Sequence, residues 1–560
     1  MAKKWEPDLS GTINQNASPQ LLGDNQFEIL VNVMQGYTGM LAKRPGATLL
    51  GAQISASNPI RGLHAYNKNN GNHYFHAIHQ GILYVYDEGT STWTSQENAA
   101  GTGLATDSEV SFANHANRHY FIGDNSDEYL RYATESGSST QVTLFSTTAS
   151  SSSTGTTLVS STAVFQSGMV GMTVVNTTDT ATAVITAFTD TTTVTLDTSI
   201  GDDWDGDSIV MYMDGKYLAS NGAFMLVVGS DVYPDRAFWT GLGTDTFDTT
   251  SDYAITEGRE TGVATFGNGR PFVVFTEDGY THINPSNDSV DSVRGFGCTS
   301  HRSIANLKGG LVWLGRQGFS FMAYNQAFPE EISKTLRNDK TGDAIMNKIA
   351  DASFEVAAAG VINDRYYCAL RNLSATVKGQ TLNDCVVEFD YSTASWRVHT
   401  FTQGGLGSVF ASFVNSDGLE KLYTGSVDAG AVFMLEDTST VQDDNAAGTA
   451  ADVPATIISK HYNFGNAESW EKKDISKLII QYKSDTELTV SYSADGDSTY
   501  TAIGRPLPIA NTKAWYYKYF SLGTQCRTLS HSITSTGGDF RILGWGHELT
   551  NTNTIGIDPV

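Results

Sequence analysis

One short pattern returns along most of this chain. An apolar or aromatic strand runs into a turn rich in Gly, Asp or Asn, and a second strand follows, often ending on an aromatic residue. It is read in HYFHAIHQGILYVYD from His73, HYFIGDNSDEYLRY from His119 and FMLVVGSDVYPDRAFW from Phe224. It returns in PFVVFTEDGYTHI from Pro271, LVWLGRQGFSFMAY from Leu311 and KLYTGSVDAGAVFMLED from Lys421, with a longer version between Tyr366 and Trp396. Two strand-like runs around turn residues are the local signature of an antiparallel hairpin. Hairpins repeated at intervals of roughly 40–60 residues must bury their faces on one another, and radial repetition does this. The expectation is an all-β fold built as a β-propeller. No WD or kelch signature sets the blade count, and a stacked sandwich is the competing arrangement.

Two segments break the series. STTASSSSTGTT, from Ser146 to Thr157, has almost nothing to bury, and the text after it alternates β-branched with polar residues. This reads as a small inserted β-barrel or sandwich over 146–215. From Pro454 onward, KLIIQYKSDTELTVSYSADG, AWYYKYFSL and DFRILGWGHEL read as a C-terminal β-sandwich over 454–560. The propeller then occupies 61–145 and 216–453, and 1–60 is left as an N-terminal arm and docking segment. Helix is scarce. Asn25-x-x-Glu28 offers a capping box with Phe27, Leu30, Val31 and Met34 on one face, and a second short helix is expected around Asp343 to Ile349.

Composition narrows the function classes. The 560 residues carry a formal charge of −25 with a pI near 4.7, so nonspecific wrapping of nucleic acid is disfavoured. No run approaches the roughly 18 apolar residues that span a bilayer, and MAKKWEPD lacks the apolar core of a secretory signal. A soluble protein made in a cytoplasm is expected. Cys298, Cys368, Cys385 and Cys526 are far apart without a CxxC, which favours buried free thiols over a zinc site.

A search for chemistry returns little. His73, His76 and His79 lie in a strand-like run, where His76 points away from the other two, so ordinary strand histidines are favoured over a metal site. Asp203, Asp205 and Asp207 resemble a calcium loop, but Ser208 and Asp214 stand where the Gly and Glu belong. Ser493-Ala-Asp495-Gly-Asp497-Ser-Thr499-Tyr500 resembles a sialidase Asp-box, a turn motif and not a catalytic one. Phosphate loops, GxSxG and HExxH are absent from the sequence. Catalytic residues, cofactor and metal ligands are therefore assigned to none, and the protein is read as no enzyme.

LAKRPGATLLG, from Leu41, sets Lys43 and Arg44 against Pro45-Gly46 in an acidic chain. Pro45 extends Arg44 and Gly46 permits a sharp change of direction. Two readings stand side by side: a loop satisfied by nearby carboxylates, or an assembly contact made by Lys43, Arg44, Pro45 and Gly46 on another copy or another protein. Gly11, Ser18-Pro19, Asn32, Gly39, Leu41 and Lys43-Arg44-Pro45-Gly46 resemble the opening of the tail nozzle (tail tubular) proteins of short-tailed bacteriophages, over less than a tenth of the chain.

That resemblance implies a structural virion protein, made in the host cytoplasm and placed in the phage tail. It implies a homohexameric ring docked on a tail adaptor protein, holding tail fibres or spikes near the host cell surface. Double-stranded DNA would pass through during ejection without sequence-specific binding, along an acidic wall that repels phosphate, with Lys43 and Arg44 away from the lumen. A neighbouring tail-hub role stays open, as do a carbohydrate-binding or depolymerising tail component, with exposed aromatics such as Trp204, and an unrelated surface propeller.

Overall fold

The computed structural model describes residues 2–35, 39–96, 103–126, 128–135, 137–200, 205–267, 271–401, 405–464, 472–497, 499–512 and 515–550. Among them the hairpin series becomes seven antiparallel blades of four strands, five of them separate sheets and the sixth and seventh parts of larger sheets. Blade 1 is Ile60–Asn67, His73–His79, Ile82–Asp87 and Thr92–Ser95, and blade 2 is Val110–His115, Arg118–Gly123, Arg131–Ala133 and Thr140–Gln141. Blade 3 spans Tyr217–Ser220 to Tyr253–Ile255, blade 4 Glu260–Thr265 to Ser289–Arg294, and blade 5 Ala305–Leu307 to Glu330–Glu331. Blade 6 is Ala358–Ile362, Arg365–Val377, Gln380–Asp390 and Ser395–His399. Several hairpins turn through two residues of positive φ, such as Gln80-Gly81 and Asn363-Asp364, whose twist matches the flanking strands.

The sheets close into a ring because consecutive blades share apolar cores. Ile78 and Leu83 of blade 1 pack with Val110 and Phe121 of blade 2. Leu226 and Trp239 meet Val263 and Phe272, Phe275 and Tyr280 meet Leu311 and Trp313, and Val312 and Phe319 meet Tyr366 and Trp396. Blade 7 comprises Leu406–Val414, Glu420–Ser426 and Val432–Asp437 with Gly46–Leu49 as its fourth strand. Its Phe413 and Tyr423 pack on Ile60 and Phe75, returning the series to blade 1. The fold is an all-β propeller, and a strand from near the start of the chain completes its last blade.

Between blades 2 and 3 lies the insert: Thr143–Thr148, Thr157–Val159, Thr173–Asn176, Ala181–Asp190, Thr193–Leu196 and Ser208–Tyr212. These six strands form one curled sheet whose edges meet at an Ala149–Ser160 bridge, a small barrel. Alternate residues Val174, Ile185, Val194, Ile209 and Met211 fill it, and the same core continues into Tyr120 and Ile122 of blade 2 and Met225 and Val227 of blade 3. Its ends are adjacent, with the Met213 N–H donating to the Val142 carbonyl at 3.2 Å. Replacing residues 144–211 by a short Gly-Ser link is expected to leave a propeller that unfolds cooperatively at a lower midpoint, since blades 2 and 3 lose part of a shared core. Loss of cooperativity in calorimetry would show that the barrel belongs to the propeller core.

The sandwich draws on both ends of the chain. One sheet holds Ala2–Glu6, Val33–Gln35, Leu41–Lys43, Lys473–Ser484, Tyr516–Cys526 and Phe540–Thr550. The facing sheet holds Phe27–Val31, Ala455–Ser459, Tyr462–Asn463, Thr489–Ala494, Thr501–Ala502 and Thr528–Ser535, and continues into blade 6 where Val31 pairs with Val398. Phe27, Ile457, Ile480, Ile533 and Trp545 share one core with Phe319 and Trp396 of blades 5 and 6. The described residues of 1–60 are therefore woven into sandwich and propeller, where an N-terminal arm and docking segment was expected. The helix expected after Asn25 is instead the strand Phe27–Val31, buried at all five positions. A run covered on both faces loses the alternation that marks a strand, so spacing alone misreads it. The second expected helix is a 3-10 turn at Ile345–Lys348 followed by a one-turn helix at Asp351–Glu355.

Candidate functional sites

The basic turn lies inside the molecule. Arg44 is buried, and every donor of its guanidinium is used. Nη1 and Nη2 reach the two Asp443 oxygens at 2.8 and 2.6 Å, Nε reaches Asn32 Oδ1 at 3.0 Å, and the Pro45 and Thr400 carbonyls take the remainder. Its Cζ also lies over the Phe401 ring, 4.4 Å from the centroid. Asn32, held at φ 57°, donates through Nδ2 to the Thr400 hydroxyl and the Pro454 carbonyl, at 2.8 and 2.7 Å. Asp443 also accepts from the Ala47 N–H at 3.0 Å, which fixes the start of the closing strand. A side chain at Gly46 would run into the Gln442 carbonyl, so only glycine fits. This one network joins the first strands, the blade 6–7 connection, the closing strand and the entry to the sandwich.

Lys43 is buried beside it, and its amine has no hydrogen-bond partner among the described residues. Burial pushes its pKa down to about 8, against the pull of Asp452 and with the help of neighbouring Arg44. The expectation that Lys43 to Gly46 face another subunit is corrected: the cations point into their own chain because carboxylates far along the sequence, Asp443 and Asp452, fold back onto them. A second buried network abuts this one. Glu388 is fully enclosed, which alone would raise its pKa, but Arg397 at 2.5 Å, His399 at 2.6 Å and Arg365 hold it ionised at about 2.

A third cluster, missed in the sequence, crosses the propeller axis. Glu109, just before the innermost strand of blade 2, receives Arg61 of blade 1 at 2.7 Å and Arg302 from the approach to blade 5. Arg371 of blade 6 stands 3.7 Å from the same carboxylate. Arg302 also donates to the Ser408 carbonyl of blade 7 at 3.0 Å, and Arg371 to the Val356 carbonyl at 2.8 and 2.9 Å. Burial lowers the Arg371 pKa to about 10, with Arg302 adding repulsion. His301 lies alongside: its Nδ1 accepts from the Val263 N–H, so Nε2 carries the proton donated to the Ser111 hydroxyl at 3.0 Å. A small cavity of about 50 Å³ opens here, lined by Asp124, Lys216, Tyr217, Ser300, His301 and Arg302. Aligning the hairpins would have exposed the cluster, because Arg61, Glu109 and Arg302 all sit near the entry to an innermost strand.

The other singled-out residues are placed as follows where they are described. His73 is exposed and bonded to Asn67, while His76 is buried and stacked on His119 at 4.3 Å. Asp207 accepts from Asn176 at 2.8 Å, whereas Asp203 and Trp204 lie outside the described residues. Asp495 closes a tight turn at φ 56° and accepts from the Arg527 N–H. All four cysteines are buried and free. Among the described residues no three metal-ligating side chains gather.

Burial pushes His64 and His301 down to about 4 and His76 to about 3, so all three fold neutral. Unfolded imidazoles take up protons below about pH 6.5 and these do not, so their stabilisation is present above that pH. It is lost as pH falls toward 4 and below. Denaturant titrations at pH 7, 5.5 and 4 are expected to show a loss of several kcal/mol. Each tenfold difference in proton affinity between the folded and unfolded chain is worth about 1.4 kcal/mol. Replacing His76 by Phe should flatten the profile.

No protein-family model matches the chain, and no curated protein sequence matches it. Among solved structures, YCF48 from Cyanidioschyzon merolae is similar over 70% of this chain and 98% of that one, at 9% identity and a TM-score of 0.37. A likeness of that size carries no argument about function.

Proposed function

We propose that this chain is a structural component of a short-tailed phage tail, forming a homo-oligomeric nozzle ring that docks on an adaptor, supports fibres or spikes and conducts DNA during ejection. The supporting observation concerns the residues that carry the resemblance. Asn32 and Arg44 to Gly46 converge on the joint between propeller and sandwich, where Arg44 bonds both Asn32 and Asp443. Asn32, Arg44 and Gly46 each have a structural reason there.

Charge distribution agrees with a DNA conduit. Residues 46–453 hold 21 Lys and Arg against 46 Asp and Glu, and the remainder is balanced at 14 against 14. No Lys or Arg occurs between Arg131 and Lys216, the stretch containing the insert. An acidic propeller and insert form a wall on which phosphate does not dwell. Because the Glu109 cluster links blades 1, 2, 5 and 6 across the propeller, the reading puts the conduit between subunits. Electron microscopy of particles carrying a tag on this chain is expected to show a ring at the distal tail. Tagged particles in which the chain is monomeric or absent from the tail would overturn the reading.

A further inference from the structure

The outer face of the first sandwich sheet carries an aromatic plateau. On Tyr516–Cys526, Tyr517 and Tyr519 point away from the core and are 56% and 57% exposed. Trp5 joins them from Ala2–Glu6, its ring 6.4 Å from that of Tyr517. The three rest on a prepared floor. Tyr517 lies opposite Gln481 and Tyr519 opposite Ile479, and these pair onward with Gly544 and Gly546. Trp5 is the partner of Gly546 and covers Gly544, where an added Cβ would stand 3.1 Å from the indole. Ile479 and Gln481 are buried although they face outward. The rings are thus packed on one side and bare on the other, and rigid Trp and Tyr in that state are the residues that dominate binding energy at protein interfaces.

Charge decides which partner fits. Two copies of a chain at −25 repel wherever their acidic propellers approach. The plateau belongs to the charge-balanced part of the molecule, with Lys477 and Glu548 neutralising each other beside it at 3.3 Å. That part is where a second copy can come close without an electrostatic penalty. We propose that the plateau of Trp5, Tyr517 and Tyr519 is the surface by which one copy docks on the next. The inference rests on the ring reading and adds the surface through which the ring is made. In a ring this patch meets a different surface of the neighbour, because a patch paired with itself stops at a dimer.

The test uses the full chain. Sedimentation velocity over two decades of protein concentration is expected to show self-association. Tyr517→Ser with Tyr519→Ser should weaken it by about tenfold or more, while thermal unfolding stays cooperative and falls only modestly, because both side chains are more than half exposed. A second variant, Tyr519→Cys, takes a thiol-reactive fluorophore selectively, since the four native thiols are buried; its label should become shielded from an aqueous quencher on assembly. Assembly that proceeds with the label still accessible and the double variant unaffected overturns the plateau and leaves the ring standing. A wild-type chain that stays monomeric throughout overturns the plateau, while the ring reading is then judged by the tagged particles.

Discussion

Replacing Arg44 by Met is expected to cost the isolated chain about 3 to 5 kcal/mol of stability, because Asp443 is left as a buried, unpaired carboxylate. The pair is 5% and 1% exposed, so solvent screens little of the loss. Asn32 and the Thr400 carbonyl lose donors at the same time, and the carboxylate that anchors the closing strand through the Ala47 N–H loses its counter-ion. Asp443→Asn should fall in the same range, and Arg44→Lys should rescue little, since an ammonium cannot make the forked contact. The adjacent residue behaves oppositely. Lys43→Met removes a buried amine that makes no hydrogen bond among the described residues, so it should be near neutral or stabilising. Denaturant midpoints of the purified chain check both. An Arg44→Met chain that unfolds like wild type but fails only to assemble would restore the docking role to the turn.

The sequence and the structure part company where contacts are distant or two-sided. The hairpins were legible because strand, turn and strand are neighbours and their turns obey local backbone rules, as at Gln80-Gly81. Blade 7 was not, because its fourth strand lies some 380 residues ahead of its partner Phe433, and nothing local announces that pairing. The same distance hid the partner of Arg44: a loop satisfied by carboxylates was one of two readings, and only the folded chain brings Asp443 to it. Phe27–Val31 failed for another reason. Burial on both faces erased its period, and a neighbouring Asn-x-x-Glu spacing supplied a false helix start. The insert was legible in place but not in attachment, since alternation marks its strands while its core runs on into blades 2 and 3.

Glu109 is expected to behave as the axial counterpart of Arg44. Glu109→Gln keeps the size of the side chain but removes the charge on which Arg61, Arg302 and Arg371 converge. Three guanidiniums from blades 1, 5 and 6 then repel one another across the axis, with Asp124 and Lys216 nearby as further charges of opposite sign. The groups are 12–23% exposed, so water relieves part of the repulsion and the loss should be roughly 2 to 4 kcal/mol. Removing one cation as well should restore some of it: Glu109→Gln with Arg302→Met is expected to be less destabilised than the sum of the two single changes, the mark of a coupled cluster. High salt should narrow the gap between Glu109→Gln and wild type by screening the surviving cations. Equilibrium unfolding of the four proteins of this cycle, at low and high salt, measures both effects. Strict additivity with no dependence on salt would mean that the arginines are held by their carbonyl partners, Ser408 and Val356, and that the carboxylate merely fills space between them.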